Sequence, residues 1–125
     1  LIESPVMLNV QVEAARAYQK WAKVFKKETL YVRALLGARM NEETKKNVIW
    51  GWRKIGEVTS RYPKFKDVFY EARYNQAVCR LEYAEAKNGA ERQKWLKLAE
   101  TEIMLLVRLN PDLGEIGRAS CRERV

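Results

Sequence analysis

The sequence predicts an all-α fold: about five helices, arranged as antiparallel pairs that stack side by side into an α-α superhelix. Three observations predict it. The 125 residues are 47% hydrophobic and 32% charged, and the two classes alternate as on amphipathic helices rather than segregating into blocks. Two stretches carry one pattern of offsets, Gly51, Ile55, Val58 and Pro63 in the first and Ala99, Ile103, Leu106 and Pro111 in the second. A small residue lets two helices approach, the apolar residues follow on one face, and proline stops the helix. Finally, no window shows two-residue alternation flanked by turn signals, so no sheet is expected.

Each helix has local signals. Ser4-Pro5 starts the first: serine caps free N–H groups and proline suits the first position. It runs to about Lys26, with Val10, Ala14, Ala17, Tyr18, Trp21 and Phe25 as its apolar spacing. The second covers Glu28 to Leu36 and ends at Gly37. Asn41, with Glu42 and Glu43 in the following turn, reads as the cap of a third helix reaching about Arg61 and carrying Val48, Trp50, Gly51, Trp52, Ile55 and Val58. The fourth spans about Lys66 to Lys87, and Asn88-Gly89 breaks it. The fifth runs from about Ala90 to Leu109 and closes at Asn110-Pro111, with one broad apolar face built from Trp95, Leu98, Ala99, Ile103, Leu106 and Leu109.

The fourth helix is apolar on two opposed sides. At about 100° per residue, Tyr70, Tyr74, Ala77, Leu81 and Ala84 fall on one face and Val68, Ala72, Cys79 and Tyr83 on the other. Arg73, Gln76 and Arg80 form a polar stripe between them; Glu71, Asn75 and Glu82 form the opposite one. A helix outside a bundle needs one apolar face, so two mean neighbours on both sides.

Residues Glu71 to Arg80, EARYNQAVCR, resemble the first helix of a tetratricopeptide repeat. Ala72, Tyr74, Asn75 and Ala77 stand where that family favours a small residue, an aromatic, an asparagine and a small packing residue. Ala99 and Pro111 match the small residue of the second helix and the closing proline, and Gly51 and Pro63 would be the same landmarks one repeat earlier. The resemblance covers roughly residues 47 to 114, and it is similar to divergent repeats in long bacterial proteins. It departs in three ways. Pro63 and Pro111 lie further apart than the family's repeat of about 34 residues. Gln76 stands where the family prefers leucine, and Arg73 and Arg80 replace aromatics.

The resemblance implies a protein–protein interaction scaffold, part of a larger protein, that holds a peptide or partner helix non-covalently. Arg73, Asn75, Gln76 and Arg80 are the candidate partner-binding residues, since the family uses the inner face of its first helices for peptides and Asn75 matches a position that contacts peptide backbone. The same stripe reads equally as a solvated helix face. The net charge of +8 supports a second reading, a basic helical nucleic-acid-binding module. The basic residues are dispersed, however, and Lys23, Lys26 and Lys27 form the one tight cluster.

Chemistry has little to stand on. The chain contains no histidine, the commonest general base and metal ligand. No metal-binding or cofactor motif and no phosphate-cradling glycine loop is present in the sequence, so no cofactor, metal site or catalytic residue is expected. Glu42–Glu43 and Glu100–Glu102 do not converge as an acid–base pair must. Cys79 lies on an apolar face and reads as a packed core thiol. Trp50 and Trp52 diverge on a helix and read as packing residues rather than a base-stacking platform. No apolar run approaches the roughly 20 residues of a membrane span.

Residues 1–114 are expected to form the repeat region. Residues 115–125, EIGRASCRERV, resemble a translated sequencing-library adapter and are expected to be a non-native tail, which carries Cys121 and a net of one positive charge. The chain begins at Leu1, so the true N-terminus is expected upstream and no targeting segment can be judged.

Overall fold

The computed structural model describes residues 4–109, and expectations for Pro111 and the 115–125 tail lie outside them. It is helical: α1 (Pro5–Phe25), α2 (Glu28–Leu36), α3 (Gly51–Thr59), α4 (Lys66–Glu85) and α5 (Gly89–Leu109). A short hairpin, β1 (Ala38–Met40) and β2 (Asn47–Ile49), joins α2 to α3, and a single 3-10 turn at Pro63–Phe65 leads into α4.

The ends of α1 follow local chemistry. Ser4 Oγ accepts from the Met7 N–H at 3.1 Å, Pro5 occupies the first turn, and Lys26 closes the helix in the left-handed region. At the other end of the second helix, Gly37 has φ +98° and its N–H donates to Arg33 O at 2.9 Å.

The hairpin corrects the expectation of a sheet-free chain and of a third helix beginning at Asn41. Ala38 pairs with Ile49 and Met40 with Asn47, antiparallel. Asn41 does cap backbone N–H groups, those of Glu43 (2.8 Å) and Thr44 (3.2 Å), but it caps a turn. Lys45 at φ +58° then leaves the helical region, and its N–H donates to Asn41 O at 2.8 Å. Asparagine followed by two glutamates looks the same at the head of a helix and at the head of a single turn. The β-branched pair Val48-Ile49 favours the extended form that follows. From α1, the Gln11 carboxamide acts as a further rung, donating to Val48 O and accepting from the Trp50 N–H, each at 2.9 Å.

Gly51 has a role other than the expected helix–helix contact. It is the first residue of α3, at φ +81°, where its backbone meets Gly37 at the base of the hairpin. A Cβ there would lie 2.4 Å from Gly37 N and 2.7 Å from Leu35 O; one at Gly37 would lie 2.3 Å from Ile49 O. Gly51 opens a nine-residue helix whereas Ala99 sits inside a 21-residue one, so the two matching patterns occupy unlike positions.

The main core joins Leu8, Val12, Ala15 and Tyr18 of α1 to Ala34, Ala38, Trp52, Ile55, Ala72 and Cys79. Trp52 is fully buried and its indole N–H donates to Gln19 Oε1 at 2.9 Å. A second cluster, Tyr74, Val78 and Leu106 with Tyr70, lies between α4 and α5. The two-faced reading of α4 therefore holds for Ala72, Cys79 and Val68 on one side and Tyr70 and Tyr74 on the other. Tyr83 departs from it, meeting Trp95 of α5 edge-on with ring centroids 5.4 Å apart.

The outer helices differ from expectation. Of the α1 stripe, only Tyr18 is buried; Val10, Trp21 (50%) and Phe25 (62%) are exposed. The buried side is Leu8, Val12, Ala15, Tyr18 and Ala22. The helix has two apolar stripes, and Gln11 and Gln19, which lie beside the buried one, bond the hairpin and Trp52. On α5, Ala99 and Leu106 are buried, whereas Leu98 and Leu109 are exposed.

Two glycine substitutions separate close approach from dihedral strain. Gly51→Ala should destabilise by about 3 kcal/mol or more, since positive φ and a backbone clash combine. Gly89→Ala, at φ +64° with no heavy atom within 4 Å of the added Cβ, should cost about 1 kcal/mol from strain alone. Urea unfolding of both variants measures the difference.

Candidate functional site

Helix α4 forms the floor of a groove. Its Phe69, Arg73 and Gln76 face a cavity of about 630 Å³ whose walls are Arg53, Gly56 and Glu57 of α3 with Ser60 just after it, and Glu102, Leu105, Leu106, Arg108 and Leu109 of α5. Further along the same side of α4, Cys79, Arg80 and Tyr83 line a smaller apolar pocket of about 120 Å³ with Tyr31, Val32, Leu35, Leu36 and Trp95. Arg80 lines the small pocket and Glu102 the large one, and their ion pair forms the sill between the two.

The spacing on α3 explains how one short helix serves both core and groove. Trp52, Ile55, Val58 and Thr59 are buried, while Arg53, Gly56, Glu57 and Ser60 fall on the other side at helical spacing. Gly56 is where α3 comes close to α4: an added Cβ would lie 3.3 Å from Arg73 Cδ and 3.6 Å from Ala72 Cβ. The aliphatic part of Arg73 therefore lies across Gly56.

Three of the four expected binding residues meet here. Arg73 is exposed at the groove, Gln76 is 4% exposed beneath it, and the Arg80 side chain is 21% exposed. The stripe is thus mostly covered by α3 and α5 and does not form a solvated face. Gln76 Oε1 and Arg80 Nε are buried with no hydrogen-bond partner. Burial holds the Arg80 guanidinium below its ordinary pKa, and the positive charges of Arg53 and Arg73 push the same way. Among the described residues, Glu57 and Glu102 are the carboxylates lining the large cavity, against Arg53, Arg73 and Arg108.

Asn75 is not part of this site. Its Nδ2 donates to Glu71 O at 3.0 Å, on its own helix, and the stripe it shares with Glu71 and Glu82 fastens α4 to other helices. Arg16 of α1 makes a two-pronged contact with Glu71, at 2.8 and 2.9 Å. The Tyr31 hydroxyl of α2 donates to buried Glu82 at 2.8 Å, and Lys87 pairs with Glu28 at 2.8 Å. Arg53, Arg108, Phe69 and Leu105 were missed as groove residues. On α3 the signal is present in the Arg53, Gly56/Glu57, Ser60 spacing, but a single helix does not show that this face meets α4 and α5.

Cys79 is buried in the main core, in keeping with a packing role. Among the described residues no group of three or more His, Cys, Asp or Glu side chains lies close enough to hold a metal ion. No described helix is long and apolar enough to cross a membrane. Comparison with known proteins found no matching family model, no matching curated protein and no matching solved structure.

The Tyr31–Glu82 contact carries a pH dependence. Burial raises the Tyr31 pKa above its ordinary value of 10.0, and the hydrogen bond and charge of Glu82 raise it further. A raised pKa means the unfolded chain releases the proton first, so this contribution is complete below pH 10 and is lost as pH climbs above it. Tyr31→Phe should cost roughly 1–3 kcal/mol at neutral pH, by withdrawing a donor from a buried carboxylate. It should also flatten the alkaline decline in stability, read from chemical denaturation between neutral pH and the highest pH at which the parent chain folds.

Proposed function

We propose that this chain is a tetratricopeptide-like segment of a helical solenoid and acts as a protein-interaction scaffold, holding a partner segment non-covalently in the groove above α4. The single observation that supports the reading is the groove itself. Apolar walls from Phe69, Leu105, Leu106 and Leu109 stand beside arginines whose charges outnumber the carboxylates between them. An apolar body with a few oriented polar groups is the usual make-up of a recognition site. Stacked helix pairs commonly offer such a concave face to partners. Gln76, whose Oε1 accepts no hydrogen bond, lines the same cavity.

A second reading, nucleic-acid binding, draws on Arg53, Arg73 and Arg108 at the same groove. It is the weaker one, because Glu57 and Glu102 stand among these arginines and the walls are apolar rather than arranged for base stacking.

Ser60→Trp, on the exposed end of the α3 wall, blocks the groove without touching the core. The expected outcome is a thermal midpoint within about 2 °C of the parent, together with loss of a defined protein partner whose capture by the parent resists nuclease. Salt-dependent binding of RNA or DNA, abolished by Arg53→Glu and Arg73→Glu, would instead establish the second reading.

A further inference from the structure

We propose that the occupant of this groove is an extended acidic segment of a partner polypeptide, held at two points: an aliphatic side chain in the small pocket and a carboxylate at Arg53 and Arg73. The inference rests on the interaction reading above and specifies its ligand.

Four observations on the groove define the chemistry. The small pocket is lined almost wholly by carbon, from Val32, Leu35, Leu36, Tyr83 and Trp95, and its volume of about 120 Å³ suits one branched aliphatic side chain. The large cavity holds Arg53 and Arg73, neither of which makes an ion pair among the described residues, and both raise the cost of keeping Arg80 charged. An incoming carboxylate relieves that repulsion and pairs with a planar guanidinium in its preferred geometry. Gln76 Oε1, 96% of whose residue surface is buried, accepts no hydrogen bond, while Arg80 Nε donates none. Gln76 lines the large cavity and Arg80 the small pocket, so a donor is missing at one point and an acceptor at the other; once these side chains turn outward, a polypeptide backbone supplies both with its N–H and C=O groups. A phosphate backbone brings acceptors only, and a helix has already used its own N–H and C=O groups internally. An extended polypeptide satisfies both.

The spacing of the two points follows from α4. Arg73 and Gln76 stand about seven residues from the small-pocket residues Arg80 and Tyr83, which is about 10 Å along a helix axis. An extended chain covers about 7 Å in two residues and about 13 Å in four, and only even spacings put both side chains on one face. The recognised segment therefore carries its aliphatic and acidic side chains four residues apart, the shortest such spacing that spans the gap.

The test uses the whole chain and four fluorescein-labelled nine-residue Gly/Ser peptides. Two carry one Leu and one Glu four residues apart, one in each order; the other two have Lys in place of Glu. Fluorescence anisotropy should show one of the Leu/Glu peptides binding at least tenfold more tightly than its Lys counterpart. Arg73→Glu and, separately, Arg53→Glu should weaken that peptide at least tenfold, and Arg73→Glu should reverse the preference toward the Lys peptide. Val32→Trp, at the exposed rim of the small pocket, should weaken the Leu/Glu peptide without altering its preference over the Lys version. Far-UV circular dichroism of each variant checks folding, and the two arginine variants serve as independent probes. Equal binding of Glu and Lys peptides, sensitive to Ser60→Trp, would overturn the acidic assignment and leave the groove reading standing. No peptide binding, with oligouridylate binding lost on Arg73→Glu, would overturn both.

Discussion

Helix α4 must satisfy neighbours on all sides, and most of the fold follows from that. Ala72 and Cys79 close the main core against α1, α2 and α3, while Tyr74 and Val78 close a second one against α5. Its two polar stripes then take different parts. Glu71 and Glu82 meet Arg16 and Tyr31 and tie the helix to α1 and α2. Arg73, Gln76 and Arg80 point to the remaining side, where α3 and α5 stand apart as walls. Small residues permit this crowding: Ala72, Ala77 and Ala84 are fully buried, and Gly56 lets α3 come close over Ala72. Bulk at these points would trade packing gain for overlap, which close-packed interiors do not absorb.

The hairpin does for α3 what α4 does for the whole. Gly37 and Gly51 both take positive φ and bring two strand ends together without side chains between them. Gln11 then holds the outer strand through Val48 and Trp50. These contacts set where α3 begins and how it is anchored, while the helical repeat fixes which of its side chains share a face. The groove wall is thus held by two glycines at its own N-terminal end.

Helices α1, α2, α4 and α5 were legible because their signals are local: Ser4-Pro5, the glycine after Leu36, Asn88-Gly89, and periodicity in between. The two-sidedness of α4 was legible for the same reason. The hairpin was not, because three-residue strands leave no room for alternation, and an asparagine-capped turn imitates a helix start. Choosing between the two apolar stripes of α1 needs the long-range bonds of Gln11 and Gln19, which no local window contains. The groove residues divide likewise. Arg73, Gln76 and Arg80 followed from α4 alone, whereas Arg53, Glu102 and Arg108 belong to the site only because of how α3 and α5 lie against α4. Asn75 was grouped with the site through the resemblance; helical phase puts it on the other stripe, where it bonds its own helix.

A partly buried arginine beside two exposed ones contributes poorly to stability. Removing a guanidinium from water is costly, and one carboxylate partner at the sill rarely offsets it in full. Arg80 bears that cost and the repulsion of Arg53 and Arg73 besides, with its Nε unsatisfied. Leucine at position 76 would fill the same space with no unpaired group, whereas leucine at 80 would leave the partly buried Glu102 without its partner. Groups that a fold keeps despite such a penalty are more readily explained by what they meet from outside. The apolar pocket beyond the sill supports the same conclusion from the opposite chemistry, since its surface is carbon left in contact with water. Arg53 of α3 and Arg73 of α4 stand at one end of the groove and the apolar pocket between α2, α4 and α5 at the other, and the proposed ligand would carry a complement to each.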